Sequence, residues 1–312
     1  MHRRSFFSGA AALGAMAGAS AFSASAQQAR VFMGYTQKEL DEAYDSAYWA
    51  PTLDALQLDD RKYSAEVRQR MAPRTQRFGA AEVEVVDIFT PPAAKGAPVL
   101  VYFHGGAWLF NSRLDASFPA PTVVGRGDAF LVPDFNNVKQ ARLPVMIEQC
   151  RDAVAWAVRN AASFGGDPDR VYICGHSSGA HLASTVLITD WEKRGLPRDT
   201  VKGALLMSGM YDLYPAMLSA RGKYVQITAQ EQAAASAMRH LDQIACPVAV
   251  AWAISDSPEF RRQSSTFADA LEGMGRLASR TPVFTANHFT EPRQLDTPDS
   301  PLSRVLFSLM NI

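Results

Sequence analysis

A serine flanked by glycines follows an apolar, strand-like run in the middle of the chain. Residues 171–174 are continuously apolar and lead into Gly-His-Ser-Ser-Gly at 175–179, then into a helix-compatible stretch at 180–184. A strand that turns into a helix within a few residues needs glycines where a Cβ would clash, and it projects the central serine from the apex of the turn. The spacing predicts that Ser177 is a nucleophile beside the free N–H groups of a helix N-terminus. A glycine-serine turn without chemistry is the alternative.

A second glycine motif stands at the end of an earlier apolar run. Residues 102–108 read Tyr-Phe-His-Gly-Gly-Ala-Trp, and two consecutive glycines let a backbone turn its N–H groups toward a cavity. The motif at Gly105, Gly106 and Ala107, together with the amide of Ser178, predicts an oxyanion hole for acyl transfer. A lone His-Gly-Gly is more often a plain turn, so this interpretation depends on the serine motif.

An activated serine needs a neighbouring base, and the base needs a carboxylate that fixes its tautomer. Only six histidines are available, and His288 alone lies in a loop after the last predicted strand. The sequence therefore favours His288 as the base. Buried hydrogen-bonding roles are expected for His104 and His181. The other two histidines outside the leader are His176, which belongs to the serine motif, and His240, which follows a polar helix.

Three carboxylates compete for the role of the acid. Asp256 follows the apolar run 247–253, Glu259 lies three residues further on, and Asp212 follows the preceding strand. We favour Asp256, because Asp212 is placed to hold a loop and Glu259 to cap the start of a helix. The chain order Ser177, Asp256, His288 is the one found where a strand–serine–helix turn carries the nucleophile.

Short apolar runs alternate with amphipathic helical patterns, which predicts an α/β fold with a mostly parallel central sheet covered by helices on both faces. The run 83–89 places charges between apolar residues, so we expect an antiparallel strand near an edge with one face wet. Helices are indicated where apolar residues recur at a spacing of three to four. Predicted strands lie at 83–89, 98–103, 129–132, 171–174, 204–207, 247–253 and 282–284.

The N-terminus has the composition of an export signal. Residues 1–26 hold paired arginines, an Ala/Gly-rich apolar run and a final Ala-Ser-Ala, a small-x-small cleavage pattern. The pair Arg3-Arg4 before two phenylalanines resembles a twin-arginine signal. We therefore expect a periplasmic or secreted protein whose residues 27–312 form a single domain, with 27–79 as an N-terminal extension that contains a helix around 37–44.

Composition narrows the classes of function. Lys+Arg and Asp+Glu both number 31, so the net charge is zero and nucleic acid is not an expected partner. After the leader no apolar run approaches the roughly 20 residues that would cross a bilayer, so no stable membrane insertion is expected. The three cysteines are widely spaced in apolar sequence and are expected to be buried thiols. No metal-ligand or dinucleotide motif occurs, so the predicted chemistry needs no metal and no cofactor.

From about residue 40 onward the sequence resembles the α/β-hydrolase superfamily, in particular the kynurenine formamidase-like and hormone-sensitive-lipase-like serine esterases. The resemblance implies an α/β-hydrolase fold, Ser177 as nucleophile, Asp256 as acid and His288 as base. The residues that carry it are Leu40-Asp41 with Tyr44, and the segments 87–89, 104–108, 164–168, 175–182, 208–213 and 256–260.

The chain departs from the formamidase pattern at its expected substrate end. Ala107 stands where those enzymes usually have a tyrosine, and 44–46 reads Tyr-Asp-Ser in place of Tyr-Asn-Asn. We therefore predict a serine hydrolase for small or aryl esters, with an arylformamidase and a non-catalytic binding module as the alternatives. A small ester or amide is the expected partner, and Trp108, Tyr211 and Phe289 are candidates for the pocket wall.

Overall fold

The computed structural model describes residues 29–50 and 53–311, without the side chains of 53–58; the predicted leader at 1–26 lies outside them. The strands alternate with helices along most of this part of the chain, as the sequence predicts. The strands are β1 (Arg30–Phe32), β2 (Tyr35–Thr36), β3 (Arg74–Arg77), β4 (Val85–Phe89), β5 (Ala97–Phe103), β6 (Ala129–Pro133), β7 (Gly166–His176), β8 (Ala204–Met207), β9 (Val248–Ala253) and β10 (Leu277–Val283).

The α-helices fall between the strands, and the last of them follows the final strand. Three of them follow β2 and form most of the N-terminal extension. The longest of the others, α5 and α9, coincide with the apolar spacing recognised in the sequence. The helices are α1 (Gln37–Ala43), α2 (Ser46–Trp49), α3 (Leu53–Arg70), α4 (Ala120–Gly125), α5 (Leu143–Asn160), α6 (Ser178–Leu187), α7 (Leu213–Leu218), α8 (Ala229–Ala234), α9 (Pro258–Gly273) and α10 (Pro301–Met310).

The described strands form an eight-stranded sheet in the order β10-β9-β8-β7-β5-β6-β4-β3, and β1 pairs with β2 in a separate antiparallel hairpin. All pairings from β10 to β6 are parallel, while β4 and β3 are antiparallel to their neighbours. The carboxyl ends of the parallel strands therefore meet along one edge of the sheet. Loops that leave β5, β7, β9 and β10 at this edge carry the predicted site residues, which is how distant parts of the sequence converge.

Side chains of successive residues in the central strands alternate between two apolar layers. In β5, Val99, Val101 and Phe103 belong to one core cluster, whereas Leu100 and Tyr102 belong to the other. Since neighbouring residues of a strand point to opposite faces, the two clusters lie on opposite sides of the sheet. Both faces are covered by helices, which explains why these strands are continuously apolar in sequence.

The strand predicted at 83–89 differs from the prediction in the burial of one face. β4 is antiparallel and near the edge, as expected, with β3 (Arg74–Arg77) paired outside it. The face expected to be wet is closed. Asp87 is fully buried, and its carboxylate is ion-paired with Arg68 and lies 3.1 Å from Nε of Arg113. A charge flanked by two guanidinium groups is compensated inside the protein, so it does not indicate solvent.

The predicted boundaries of two other strands also differ from those in the structure. The last strand, predicted at 282–284, spans Leu277–Val283, because polar residues at its start pair with β9 despite their partial exposure. The strand predicted at 171–174 begins at Gly166, where a single pair with Ala97 precedes a shift in register. In both cases backbone pairing to a neighbouring strand extends the element beyond its apolar part.

The N-terminal extension contacts both faces of the domain. The predicted helix around 37–44 is present as α1, which begins at a capping box of Thr36 and Glu39. Tyr44 is buried in one core cluster, and its hydroxyl donates to Glu259 at 3.0 Å. Val67 of α3 belongs to the cluster on the other face. The extension is therefore packed against the sheet and its covering helices.

The cysteines agree with the expectation from composition. Cys150, Cys174 and Cys246 are buried free thiols, and burial raises the pKa of each above its ordinary value. Buried, protonated thiols are poor nucleophiles. Among the described residues, no helix combines the length and the apolar character that a membrane crossing requires.

Asp128 should make the stability of the fold depend on pH. It is fully buried at the start of β6 with no hydrogen-bond partner for either oxygen among the described residues, and burial raises its pKa to about 7. Because the folded-state pKa lies above the unfolded value, the ionisation of Asp128 has no effect on stability below about pH 4, destabilises the fold progressively between about pH 4 and 7, and has its full effect above pH 7.

Asp128→Asn, which has nearly the same shape but cannot ionise, should therefore raise the free energy of unfolding at pH 8 by about 1–3 kcal/mol and should have little effect at pH 4, where the folded protein holds Asp128 protonated. Urea unfolding at the two pH values measures this. An equal effect at both pH values would show that the carboxyl does not titrate in this range.

Candidate active site

Ser177 lies between β7 and α6 in a strained backbone conformation. Its φ and ψ are 57° and −123°, outside the regions that side-chain-bearing residues prefer. A Cβ on Gly175 would lie 2.4 Å from the carbonyl oxygen of Gly179, and one on Gly179 would lie 2.1 Å from the carbonyl oxygen of Phe103. The two glycines are thus required for the turn, as the sequence predicts.

The structure brings Ser177, His288 and Asp256 together in one hydrogen-bonded chain. Nε2 of His288 lies 2.8 Å from Oγ of Ser177, and Nδ1 of His288 lies 2.7 Å from Oδ2 of Asp256. The three side chains are nearly fully buried. The carboxylate fixes Nδ1–H as a donor, which leaves Nε2 free to accept the serine proton. This arrangement can activate a serine for attack on a carbonyl carbon.

The structure separates Asp256 from the two other candidate acids. The other oxygen of Asp256 accepts the backbone N–H of Ser257 at 2.6 Å, so both of its oxygens have a defined donor. Glu259 is ion-paired with Arg262 and accepts from Tyr44. Asp212 caps α7. Only Asp256 of the three lies within hydrogen-bond distance of His288 in the described structure.

The other histidines near the site are held neutral by burial. His181 accepts from Nε1 of Trp108 and donates to the carbonyl of Ala235, and burial lowers its pKa to about 4. Burial also lowers the pKa values of His104 and His176. The ring of His176 lies 4.7 Å from that of His288, so its neutral form avoids repulsion when His288 takes up a proton. The expected buried roles of His104 and His181 are confirmed.

A buried carboxyl close to Asp256 was not found from the sequence. Glu291 is fully buried three residues after His288, and burial together with the charge of Asp256 raises its pKa well above the ordinary value. A neutral Glu291 leaves Asp256 as the charged carboxylate beside the imidazole. Nothing in the local sequence distinguishes this glutamate from a surface residue, since its burial depends on packing of the loop.

The loop at 104–111 lies directly beside Ser177 with several residues at positive φ. The φ angles are 123° for Gly106, 56° for Ala107 and 61° for Trp108. A Cβ placed on Gly105 would be 3.2 Å from Cβ of Ser177, which shows how closely this backbone approaches the serine. The loop thus brings Gly105, Gly106 and Ala107, predicted from the sequence, next to the helix N-terminus that begins at Ser178.

Gly106→Ala should reduce turnover by disturbing this loop. A Cβ at residue 106 would meet the carbonyl oxygen of Phe110 at 2.2 Å, and φ of 123° disfavours any side chain. The backbone N–H groups would move from their present positions. Since removing one oxyanion donor costs about 10²- to 10³-fold in kcat, we expect a loss of at least that order with an unchanged KM. Steady-state kinetics with a small p-nitrophenyl ester measures it, and a wild-type kcat would exclude a role for the loop.

A cavity of about 540 Å³ opens onto Ser177 and His288. Phe289 lines it, as predicted. Trp108 and Tyr211 do not: Trp108 is buried against His181, and Tyr211 is stacked on Phe267 at 4.1 Å. The prediction that these two rings form the pocket wall is therefore wrong, because both pack in the core. The cavity is also lined by Tyr102, Phe110, Phe118 and Pro292, and by the charged residues Asp45, Asp60, Arg61, Asp115 and Arg221.

The sequence alone did not identify the charged residues that line the cavity. Asp45, Asp60 and Arg61 belong to the N-terminal extension, and Arg221 follows α7. The departure of Tyr44-Asp45-Ser46 from the formamidase pattern was the available signal that the extension contributes to the substrate end. Arg221 offered no signal, since its neighbours in space are far away in sequence. In the described part of the chain, no cluster of three or more His, Cys, Asp or Glu residues could hold a metal ion.

A mostly parallel sheet with helices on both faces, and a serine at the turn from β7 to α6, define the α/β-hydrolase fold. The family model BD-FAE matches residues 86–208. Kynurenine formamidase of Danio rerio is 31% identical over 288 residues, which cover 88% of this chain and 97% of that protein.

Two other comparisons agree with this assignment. Isoprenylcysteine alpha-carbonyl methylesterase of Arabidopsis thaliana is 26% identical over 159 residues, 49% of this chain and 36% of that protein. The structure of an esterase from Pyrobaculum calidifontis superposes with a TM-score of 0.66 at 17% identity, covering 83% of this chain and 93% of the other. The chain belongs to the α/β-hydrolase superfamily, in its kynurenine formamidase-like and hormone-sensitive-lipase-like branch, and its relatives are hydrolases.

Proposed function

We propose that the protein is a carboxylesterase-type serine hydrolase that cleaves small or aryl esters through an acyl-enzyme on Ser177. The observation that carries the proposal is the chain of hydrogen bonds from Ser177 through His288 to Asp256, at 2.8 and 2.7 Å, beside the glycine loop. The serine, the base, the acid and the oxyanion donors are all supplied by the chain, so the reaction runs without a metal or a cofactor.

In the first half of the reaction, Oγ of Ser177 attacks the ester carbonyl carbon and its proton passes to Nε2 of His288. The carbonyl oxygen becomes negative and accepts hydrogen bonds from the amides of Gly106, Ala107 and Ser178. When the tetrahedral intermediate collapses, the bond to the leaving oxygen breaks. That oxygen takes the proton from His288, and the acyl group remains on the serine.

In the second half, water attacks the acyl-enzyme. His288 accepts a proton from the water, the oxyanion forms again at the same amides, and Oγ of Ser177 leaves with the proton returned from Nε2. The carboxylic acid is released and the resting state is restored. Asp256 stays ionised throughout and stabilises the imidazolium that forms twice in each cycle.

An arylformamidase is the second candidate function. The observation that favours it is the similarity to kynurenine formamidase along 97% of that protein's length. A formamide hydrolase would use the same serine, base and acid, but its acyl pocket would need to hold only a hydrogen atom. The changed residues at Ala107 and 44–46 support the ester over the formamide.

A panel of matched substrates tests the two candidates. For each substrate, kcat/KM is divided by the rate constant of its uncatalysed hydrolysis. We expect this ratio to be larger for phenyl acetate and phenyl butyrate than for formanilide. A preference for formanilide over both esters, after this correction, would support the formamidase instead. Turnover of none of the three by a folded protein would support a non-catalytic binding module, the third interpretation of the sequence.

We also propose that the protein is exported, after removal of a twin-arginine-type leader at residues 1–26. Support comes from the sequence alone, namely Arg3-Arg4, the apolar run and Ala-Ser-Ala at 24–26. Expression in a bacterium with a twin-arginine system, followed by fractionation, tests it. We expect a mature N-terminus at Gln27 in the periplasm, and retention of the full chain in the cytoplasm when Arg3 and Arg4 are both changed to lysine.

A further inference from the structure

Arg221 is a buried cation that lines the cavity at Ser177. Only 5% of its surface is exposed. Its Nε donates to the carbonyl oxygen of Tyr44 at 3.0 Å, and its Nη1 lies 3.5 Å from the hydroxyl of Tyr224. The guanidinium carbon is 5.8 Å from the ring centroids of both Trp108 and Phe260. These contacts hold the side chain in place, but none of them places a counter-ion from the described residues beside its charge.

No carboxylate of the described residues lies within 4.0 Å of Arg221, and its hydrogen bonds to described residues come from Nε and Nη1, which leaves Nη2 without one. This is unusual for a buried guanidinium, because an unpaired charge removed from water is costly. The other charged residues of the cavity are partnered. Asp60 is ion-paired with Arg293 at 2.7 Å, and Asp115 lies 3.5 Å from Arg61. The exposed carboxylate of Asp45 caps α2.

Arg221 lies within reach of a small molecule bound at the serine. Phe260 contacts both groups: its ring centroid is 5.8 Å from Cζ of Arg221 and 4.6 Å from the ring centroid of His288. The guanidinium is therefore no further from the imidazole than the sum of these two distances. A substrate with its carbonyl at Ser177 and an anionic group a few bonds away can contact both.

We propose that Arg221 binds a carboxylate on the substrate, so that the enzyme prefers esters whose acyl or leaving group carries one. The inference rests on the proposed function and extends it to a substrate class. A carboxylate accepts a charge-assisted, bidentate pair of hydrogen bonds from a guanidinium, and a planar fork held by aromatic rings is preorganised for this. The substrate carboxylate supplies the counter-ion that Arg221 lacks among the described residues.

Two pairs of substrates separate the acyl side from the leaving-group side. The acyl pair is 4-nitrophenyl hemisuccinate and its neutral analogue 4-nitrophenyl levulinate. The leaving-group pair is 4-acetoxybenzoate and its methyl ester. For each pair, the ratio of kcat/KM for the charged substrate to that for the neutral one is compared among variants, so that intrinsic reactivity and a general loss of activity cancel.

In Arg221→Gln we expect this ratio to fall about 10- to 100-fold for one pair, the effect of losing a hydrogen bond to a charged group. Arg221→Lys should show a smaller fall. Arg61→Gln is the matched control, since it removes a partnered arginine from the same cavity, and it should preserve the ratio. Equal ratios in wild type and Arg221→Gln for both pairs would overturn the proposal and assign Arg221 to packing alone.

Ligand binding to the wild-type protein is a second test of the proposal. It needs no catalytic activity and does not depend on whether the Arg221 variants fold. By isothermal titration calorimetry, we expect benzoate to bind at least about tenfold more tightly than benzyl alcohol. Equal affinities would overturn the carboxylate site. If neither substrate pair is turned over while benzoate is preferred, the proposed esterase activity fails and the anion site stands, so the two failures are distinguishable.

Discussion

Ser177→Ala is expected to lower kcat for a small p-nitrophenyl ester by about 10⁵- to 10⁶-fold, because the serine, base and acid act as a unit. The variant removes one oxygen atom from a buried side chain and leaves the chain of His288 and Asp256 in place. Binding should change little, so KM or the inhibition constant of a product should remain close to wild type. Steady-state kinetics on highly purified protein measures both.

Ser184→Ala is the matched control for this experiment. Ser184 is a fully buried serine on the same helix, and its hydroxyl donates to the carbonyl of His181, away from the site. We expect its kcat to stay within a few-fold of wild type. Thermal unfolding of both variants shows whether either loses its fold. Comparable turnover by Ser177→Ala and wild type would contradict the assignment of the nucleophile.

Asp256→Asn should have the second largest effect, a loss of about 10⁴-fold in kcat. One oxygen of Asp256 accepts the N–H of Ser257, so the amide oxygen of an asparagine must occupy that position. Its NH₂ group then faces Nδ1 of His288, which can only accept from it. The proton of the imidazole moves to Nε2, and a protonated Nε2 can no longer accept the proton of Ser177.

The measurement is kcat at neutral pH together with the rate of Ser177 labelling by an organophosphonate, which should both fall. Asp212→Asn serves as the control, since Asp212 was the alternative acid and caps α7. It should leave both the stability and the labelling rate close to wild type, because asparagine caps a helix about as well as aspartate. The opposite result, with Asp212→Asn inactive and Asp256→Asn active, would exchange their roles.

The turn around Ser177 could be predicted from the sequence because its determinants are local. An apolar strand, two glycines at fixed offsets and an Ala-rich helix fall within about 15 residues, and steric exclusion at Gly175 and Gly179 leaves one conformation for the chain. The convergence of His288 and Asp256 on Ser177 could be predicted because parallel strands end at the same edge of the sheet. Residues placed just after β9 and β10 therefore meet whatever projects from the turn after β7.

The rest of the site depends on contacts between distant parts of the chain, which leave no local pattern. Arg221 donates to Tyr44, which is 177 residues away in sequence. The alternation of charged and apolar residues in β4 predicts that Asp87 faces solvent, but its ion pairs with Arg68 and Arg113 hold it in the interior. Trp108 and Tyr211 follow site motifs directly, but their rings turn into the core. Residue type and position therefore predicted which side chains meet at Ser177, but not which residues line the cavity.

Covalent labelling tests the central claim most directly. The protein is incubated with a fluorophosphonate, digested and analysed by mass spectrometry. Because Nε2 of His288 is 2.8 Å from Oγ of Ser177, we predict a single adduct on the peptide that contains Ser177, and its loss in His288→Ala. A folded wild-type protein that is not labelled would contradict this prediction. So would an adduct at another serine that is present in both the wild-type protein and His288→Ala.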